Sequence, residues 1–343
     1  MLDLANALVA RGHEVHAALR PKSPLVAQLQ LPGKNILTLP LRNALDASSA
    51  RQLKSYVRQH RIEIIHAHMG RDYPVAAFAR NRGSKLIVTR HVLFPLNRLH
   101  SVTLGRSARV IAVSHAVKNR LIAQRLINPE RIVVIHNGID TSRFLDAGIQ
   151  SPSRLLPEGS MLIGTVGEIT PLKGHADFVR AAALVARQFP NCRFVIAGMD
   201  ASTTGEHLKS LQQELAKNVV QEIVSVRGWI EDLPSFYAGL DIFVSASHSE
   251  SFGLAIAEAM ASGKAVIATE TDGACEIIEH EVNGLLVPVG DINAISNSMT
   301  ELIKNKELRA TLGQNGRERV QQKFSLEHMI DRTEELYQEA LAD

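Results

Sequence analysis

Short apolar runs alternate with amphipathic stretches along the whole chain. The runs are rich in Val, Ile, Leu and Ala and are bounded by polar or glycine-containing turns, the pattern of strands buried on both faces. In the first half they predict strands at 14–19, 35–39, 62–68, 85–91, 109–114 and 132–136. The pattern restarts in the second half at 161–166 and continues at 193–197, 223–227, 241–246, 265–269 and 284–288. Helical spacing fills most of the intervals, and the end of the chain, 304–342, reads as helical and charged. Strictly alternating strands and helices imply an α/β architecture with parallel sheets. Two such series imply two doubly wound domains, with ligands bound in the cleft between them.

The predicted domains are 1–147 and 161–322, joined by a Gly-, Ser- and Pro-containing linker at 148–160. A last helix, 323–343, is expected to pack back toward the first domain. One departure stands out: a doubly wound domain opens on a strand and a glycine-rich turn, whereas the first element here, 1–9, reads as a helix. A first strand and its glycine-rich loop are therefore expected to be missing from the N-terminal domain.

Composition narrows the class. Of 343 residues, 45% are apolar and 21% charged, as in an ordinary globular protein. No apolar run approaches the roughly 20 residues that a membrane-spanning helix needs. The two cysteines make no disulfide framework, which with the opening helix and strand favours the cytoplasm. The net charge of +3 conceals a division. Residues 1–147 carry 22 Lys and Arg against 8 Asp and Glu, a net of +14; residues 148–343 carry 16 against 27, a net of −11. Such a basic half suits an anionic surface, such as a membrane leaflet or a phosphorylated acceptor. Arg51, Lys54, Arg58 and Arg61 recur at helical spacing and would form one cationic face. Scattered basic residues without interleaved aromatics argue against nucleic acid.

The most informative stretch is 245–263, SASHSESFGLAIAEAMASG. It places Glu250 at the mouth of a strand-to-helix turn and Glu258 about two turns into the following Ala-rich helix. Free amides and the positive end of a helix favour an anion there, most often phosphate, and carboxylates beside a phosphate site can grip sugar hydroxyls. Lys173 likewise stands between a strand and a helix, flanked by glycines that let a phosphate approach. His66 and His68 are expected to face opposite sides of their sheet, one packing and the other reaching toward the cleft. No cluster of His, Asp or Glu shows metal-ligand spacing, so no metal is expected.

In order along the chain, these pieces resemble the retaining nucleotide-sugar glycosyltransferases of the GT4 type (glycosyltransferase group 1), which have the two-domain GT-B fold. The resemblance rests on Glu250-x7-Glu258, on Gly167 and Glu168 followed by Lys173-Gly174, on Arg227-Gly228-Trp229-Ile230, and on Asn283-Gly284-Leu285. In the first half it rests on the opening helix, His66-Ala67-His68, Thr89-Arg90-His91 and His136-Asn137-Gly138. It implies sugar transfer with retention of configuration, from a UDP- or GDP-linked donor to a glycan or lipid-linked acceptor, with no cofactor and no metal. Envelope polysaccharide or lipopolysaccharide synthesis is the expected setting.

Glu250, Lys173 and His91 would be the catalytic residues, and Glu258 would take the ribose. Gly167, Glu168, Arg227, Trp229, Ile230, Ser251, Phe252, Gly253 and Leu254 would complete the donor site. Trp229 suits either base stacking or packing, and Phe252 either a donor contact through its amide or plain core. Glu168 departs from the family, many members of which have arginine at its position. The same fold also hosts nucleotide-sugar 2-epimerases, and a truncated, non-catalytic nucleotide-sugar-binding paralogue is a third reading.

Overall fold

The structure is a computed structural model describing residues 1–98, 100–146 and 160–343. The predicted linker lies outside the described residues except for Ser160. The chain divides into two compact units, Met1–Gly138 with Leu326–Asp343, and Ile139–Ser325.

The second unit is one parallel sheet of six strands: β7 (Met161–Val166), β8 (Cys192–Ala197), β9 (Val224–Arg227), β10 (Ile242–Ser245), β11 (Ala265–Thr269) and β12 (Leu285–Val287). Their order is β12-β11-β10-β7-β8-β9. The chain thus winds outward from β7 on one side and from β10 on the other. The crevice at the carboxyl ends of β7 and β10 is the switch point where ligands of such sheets bind. On one face of this sheet a core cluster sets Ile163, Phe194, Ile242, Val244 and Ile267 against Phe178, Val185, Leu215 and Met299 from helices. Those strands are apolar throughout because helices cover both of their faces.

The first unit contains β1 (Ala17–Leu19), β2 (Ile36–Thr38), β3 (Ile64–Ala67), β4 (Lys85–Arg90), β5 (Arg109–Ala112) and β6 (Ile132–Val134). They form two parallel sheets, β1-β2 and β3-β4-β5-β6. In the second unit β7 stands between its neighbours β8 and β10. In the first unit no strand among the described residues joins β1 to β3. Clusters of its buried side chains centre on Ile87 and Ile111, on Leu39 and Val75, and on Leu4 and Leu8.

The last helix, Leu326–Ala342, belongs to this first unit. Leu336 and Ala340 enter its core beside Ile87, and Arg109 pairs with Asp343. Two boundaries differ from expectation. The units part at 138–139 rather than at 147, because Ile139 donates its amide to the Phe324 carbonyl and the helix Thr141–Asp146 brings Phe144 against Tyr237. The last helix, expected from 323, starts at Leu326, after Lys306–Lys323 ends and Phe324 turns in against Phe252.

Candidate functional site

β7 ends at Val166, and its continuation turns through Pro171–Lys173 into the helix His175–Gln188. The turn is possible because Gly174 takes a left-handed φ of 63°, and a Cβ there would lie 1.8 Å from the Ala246 carbonyl. The loop after β7 therefore presses directly on the backbone after β10. A second strap closes it: the His248 amide donates to the Leu172 carbonyl at 2.7 Å. The His248 ring also meets Asp177 at 2.7 Å, on the first turn of the same helix.

These contacts deliver the Lys173 ammonium to Glu250, at 2.6 Å from its Oε1. The Ser247 hydroxyl donates to the same oxygen at 2.8 Å. Both members of the pair keep access to solvent, with side chains 29% and 12% exposed. Behind the turn, the Gly273 amide donates to the Glu250 carbonyl. A Cβ at Gly273 would come within 2.7 Å of the Phe252 backbone, so only glycine lets the helix Asp272–Ile277 touch the turn this closely. Gly167 lies beneath the Lys173 side chain. His175 is nearly fully buried, its Nε2 3.1 Å from the Glu168 carbonyl and its Nδ1 without a hydrogen-bond partner. Burial lowers its pKa, which favours the neutral ring.

Glu258 is half-buried on the helix Leu254–Ala261 and accepts a 2.8 Å hydrogen bond from the Tyr237 hydroxyl. Of the turn residues, Ser251 is half-buried, Gly253 buried and Leu254 exposed. The Phe252 side chain is core: it is 1% exposed and packs edge-on against Phe324. Glu168 is exposed. Trp229 is 74% exposed, which removes the packing alternative for its ring. Arg227, exposed, ends β9, and the half-buried Ile230 follows. β9 is an edge strand two positions from β7, so this segment lies about 10 Å across the sheet from the switch point.

His91 belongs to the first unit and directly follows β4. Its Nε2 lies 3.3 Å from His68 Nδ1, and the His68 ring stacks on His66 with centroids 4.1 Å apart. The expectation that His66 and His68 face opposite ways is therefore corrected. Side chains alternate with a period of two, so residues i and i+2 share a face. His66 is further held by the Tyr337 hydroxyl and by Thr89. Burial depresses the pKa of all three rings, His66 to about 3, His91 to about 4, and His68 well below its ordinary value. They are neutral at pH 7.

Sequence reasoning found Lys173, Glu250 and Glu258 but missed Ser247, His248, Asp177 and Tyr237. Ser247 and His248 stand inside the run 245–263, within reach of attention. Asp177 and Tyr237 announce themselves by nothing local, because their partners are 71 and 21 residues away.

Comparison with known proteins agrees with this geometry. Residues 147–319 match the family described as glycosyl transferases group 1, and residues 1–143 match glycosyltransferase family 4. The capsular polysaccharide biosynthesis glycosyltransferase CapM of Staphylococcus aureus is 27% identical over 278 residues, 77% of this chain and 72% of that protein. A glycosyltransferase from Rickettsia africae superposes with a TM-score of 0.85 at 23% identity, covering 99% of this chain and 93% of its own. Anabaena HepE in complex with UDP-glucose superposes with a TM-score of 0.81 at 22% identity, covering 98% and 94%. With both halves matched and the fold shared, the chain belongs to the group 1 (GT4-type) glycosyltransferases of GT-B fold.

Proposed function

We propose that this enzyme transfers a sugar from a nucleotide diphosphate donor to a glycan or lipid-linked acceptor with retention of anomeric configuration. The observation that carries the reading is the Lys173–Glu250 pair at the switch point of the second unit. An ammonium there can hold the donor diphosphate and offset the charge that grows on it as the sugar departs. With the amides of the turn and the start of the following helix, it does without a metal ion. Glu250 accepts hydrogen bonds from donor-sugar hydroxyls, and Glu258 from the ribose hydroxyls. Trp229, exposed beside Arg227, is available to stack on the base. His91, a neutral imidazole on the first unit, is assigned to the donor sugar on the family resemblance alone. The departing phosphate oxygen takes the acceptor proton, so no side-chain base is needed. The HepE complex supports a UDP-linked donor, and the name of CapM supports envelope polysaccharide synthesis.

A thermal-shift panel of UDP- and GDP-sugars tests the donor assignment. A true donor at 100 times its dissociation constant adds about 2.7 kcal/mol of stability and raises Tm by several degrees. If no member of the panel shifts Tm, the assignment falls. Conversion of the donor to its 2-epimer without acceptor would instead identify an epimerase.

The basic first unit is assigned to an anionic membrane surface. Arg51, Lys54 and Arg58 project into solvent from the helix Ala47–Gln59, opposite the buried Ala50 and Val57. Arg61, expected on the same helical face, lies beyond the helix end, exposed and with a left-handed φ of 50°. The Lys54 ammonium sits over the half-exposed Phe78 ring, so charge and apolar surface are adjacent. No helix among the described residues is long and apolar enough to cross a membrane. Cosedimentation with anionic liposomes is expected at low salt and should fall steeply as salt rises. Binding that ignores salt, or no binding at all, would contradict this assignment.

A further inference from the structure

We propose that Tyr237 is a positioning residue for nucleotide binding, acting through Glu258 to aim its carboxylate at the ribose hydroxyls. The inference rests on the donor reading above and adds to it a residue that touches no ligand.

Tyr237 sits on the short helix Leu233–Gly239, which starts at Asp232, whose carboxylate accepts the Ser235 amide, and has Pro234 in its first turn. The phenol ring is completely buried. It packs edge-on against Phe243 of β10, and against Phe144 and Phe236, with centroids 5.7 to 6.0 Å apart. Three aromatic rings thus immobilise it, and its hydroxyl arrives 2.8 Å from Glu258 Oε2. Burial and the nearby carboxylate push the phenol pKa well above its ordinary value, so the hydroxyl remains a donor at every working pH.

The two ends of this bond differ in kind. Tyr237 is part of a rigid core, whereas Glu258 is half-buried on the surface-facing side of an alanine-rich helix. A glutamate carries three rotatable bonds, and an unanchored carboxylate samples several directions. A hydroxyl held by packed rings selects one of them before any ligand arrives, and a pre-set acceptor loses less entropy on binding. A hydrogen bond from a phenol to a carboxylate is shorter and more directional than one between neutral groups. Vicinal hydroxyls of a ribose are the ligand chemistry that such an oriented carboxylate suits. A core whose only need was apolar filling would be served equally by phenylalanine at this position.

The test is calorimetric titration of the full chain with UDP and GDP and with their 2′,3′-dideoxy analogues. For the nucleotide that binds, Tyr237→Phe should weaken affinity about tenfold. Affinity for its dideoxy analogue should change by less than about twofold, because the hydroxyls that Glu258 serves are absent. In a Glu258→Ala background, Tyr237→Phe should add no further loss. Circular dichroism and Tm of the Phe variant check that the core has survived. Equal losses with the ribose and dideoxy ligands, or no loss with either, overturn the inference and leave the donor reading standing. Failure of the wild-type chain to bind either nucleoside diphosphate overturns both.

Discussion

Replacement of Lys173 by alanine should lower the rate of sugar transfer by about a thousandfold or more, with the fold intact. The size follows from where the ammonium stands. It is the cation delivered to the switch point of the second unit by a loop clamped at two places, the Gly174 contact with Ala246 and the His248–Leu172 hydrogen bond. A donor diphosphate gains negative charge as its bond to the sugar breaks, so a fixed cation stabilises the transition state more than the ground state. The loss should therefore appear mainly in kcat. Glu250→Ala should fall by a similar factor, because its carboxylate, with Ser247, orients Lys173 and on the proposed reading also serves the sugar. Since the two side chains are in direct contact, the double variant should lose much less than the product of the single losses. Neither change opens a core, so circular dichroism and Tm should stay near wild type. Transfer rates within tenfold of wild type for both single variants would remove this pair from the chemistry.

Acidification should destabilise the first unit well before its carboxylates titrate. His66, His68 and His91 are neutral in the folded chain, with pKa values of about 3 for His66, about 4 for His91 and well below the ordinary range for His68. In the unfolded chain each titrates near 6.5. Between pH 6.5 and about 4 the unfolded state therefore binds more protons, and stability rises with pH across that window. The contribution is complete above pH 6.5 and is lost as pH falls toward the folded values. At pH 5.5 each such histidine accounts for a loss on the order of 1 kcal/mol, and the cluster for a few kcal/mol. That is a large part of the stability of an ordinary domain. Calorimetric Tm should fall by several degrees between pH 7.5 and 5.5, and His68→Gln should flatten the dependence by about a third. Asp46 does not confuse the window, because the amides of Ser49 and Arg42 hold its carboxyl at about 2. A Tm independent of pH across this range would mean that the three rings are not buried neutral.

The twelve strands were legible because parallel strands covered by helices are apolar throughout and stand out from their surroundings. Their ends were less so. The strand expected at 14–19 begins at Ala17, because the Val15 carbonyl is taken by the Asn35 side chain rather than by a ladder partner. The last helix, expected from 323, starts at Leu326, because Phe324 turns in against Phe252. His66 and His68 were assigned to opposite faces, although a period of two places both on one side. Trp229 could not be assigned until its exposure was known.

By itself, the sequence determined the element types, the restart of the series after 160 and the glycosyltransferase motifs, with Lys173, Glu250 and Glu258 among them. Each of these is written in the spacing of near neighbours, where the periods of strand and helix act. Tertiary structure alone decided which residues meet. Lys173 finds Glu250 across 77 residues, and His68 finds His91 across 23. Such pairs are set by sheet order and by close backbone contacts at Gly174 and Gly273, and no local spacing encodes them. The same is true of Tyr237, whose ring reads as core in the sequence and whose hydroxyl acquires a partner only when β10 and the helix Leu254–Ala261 are assembled.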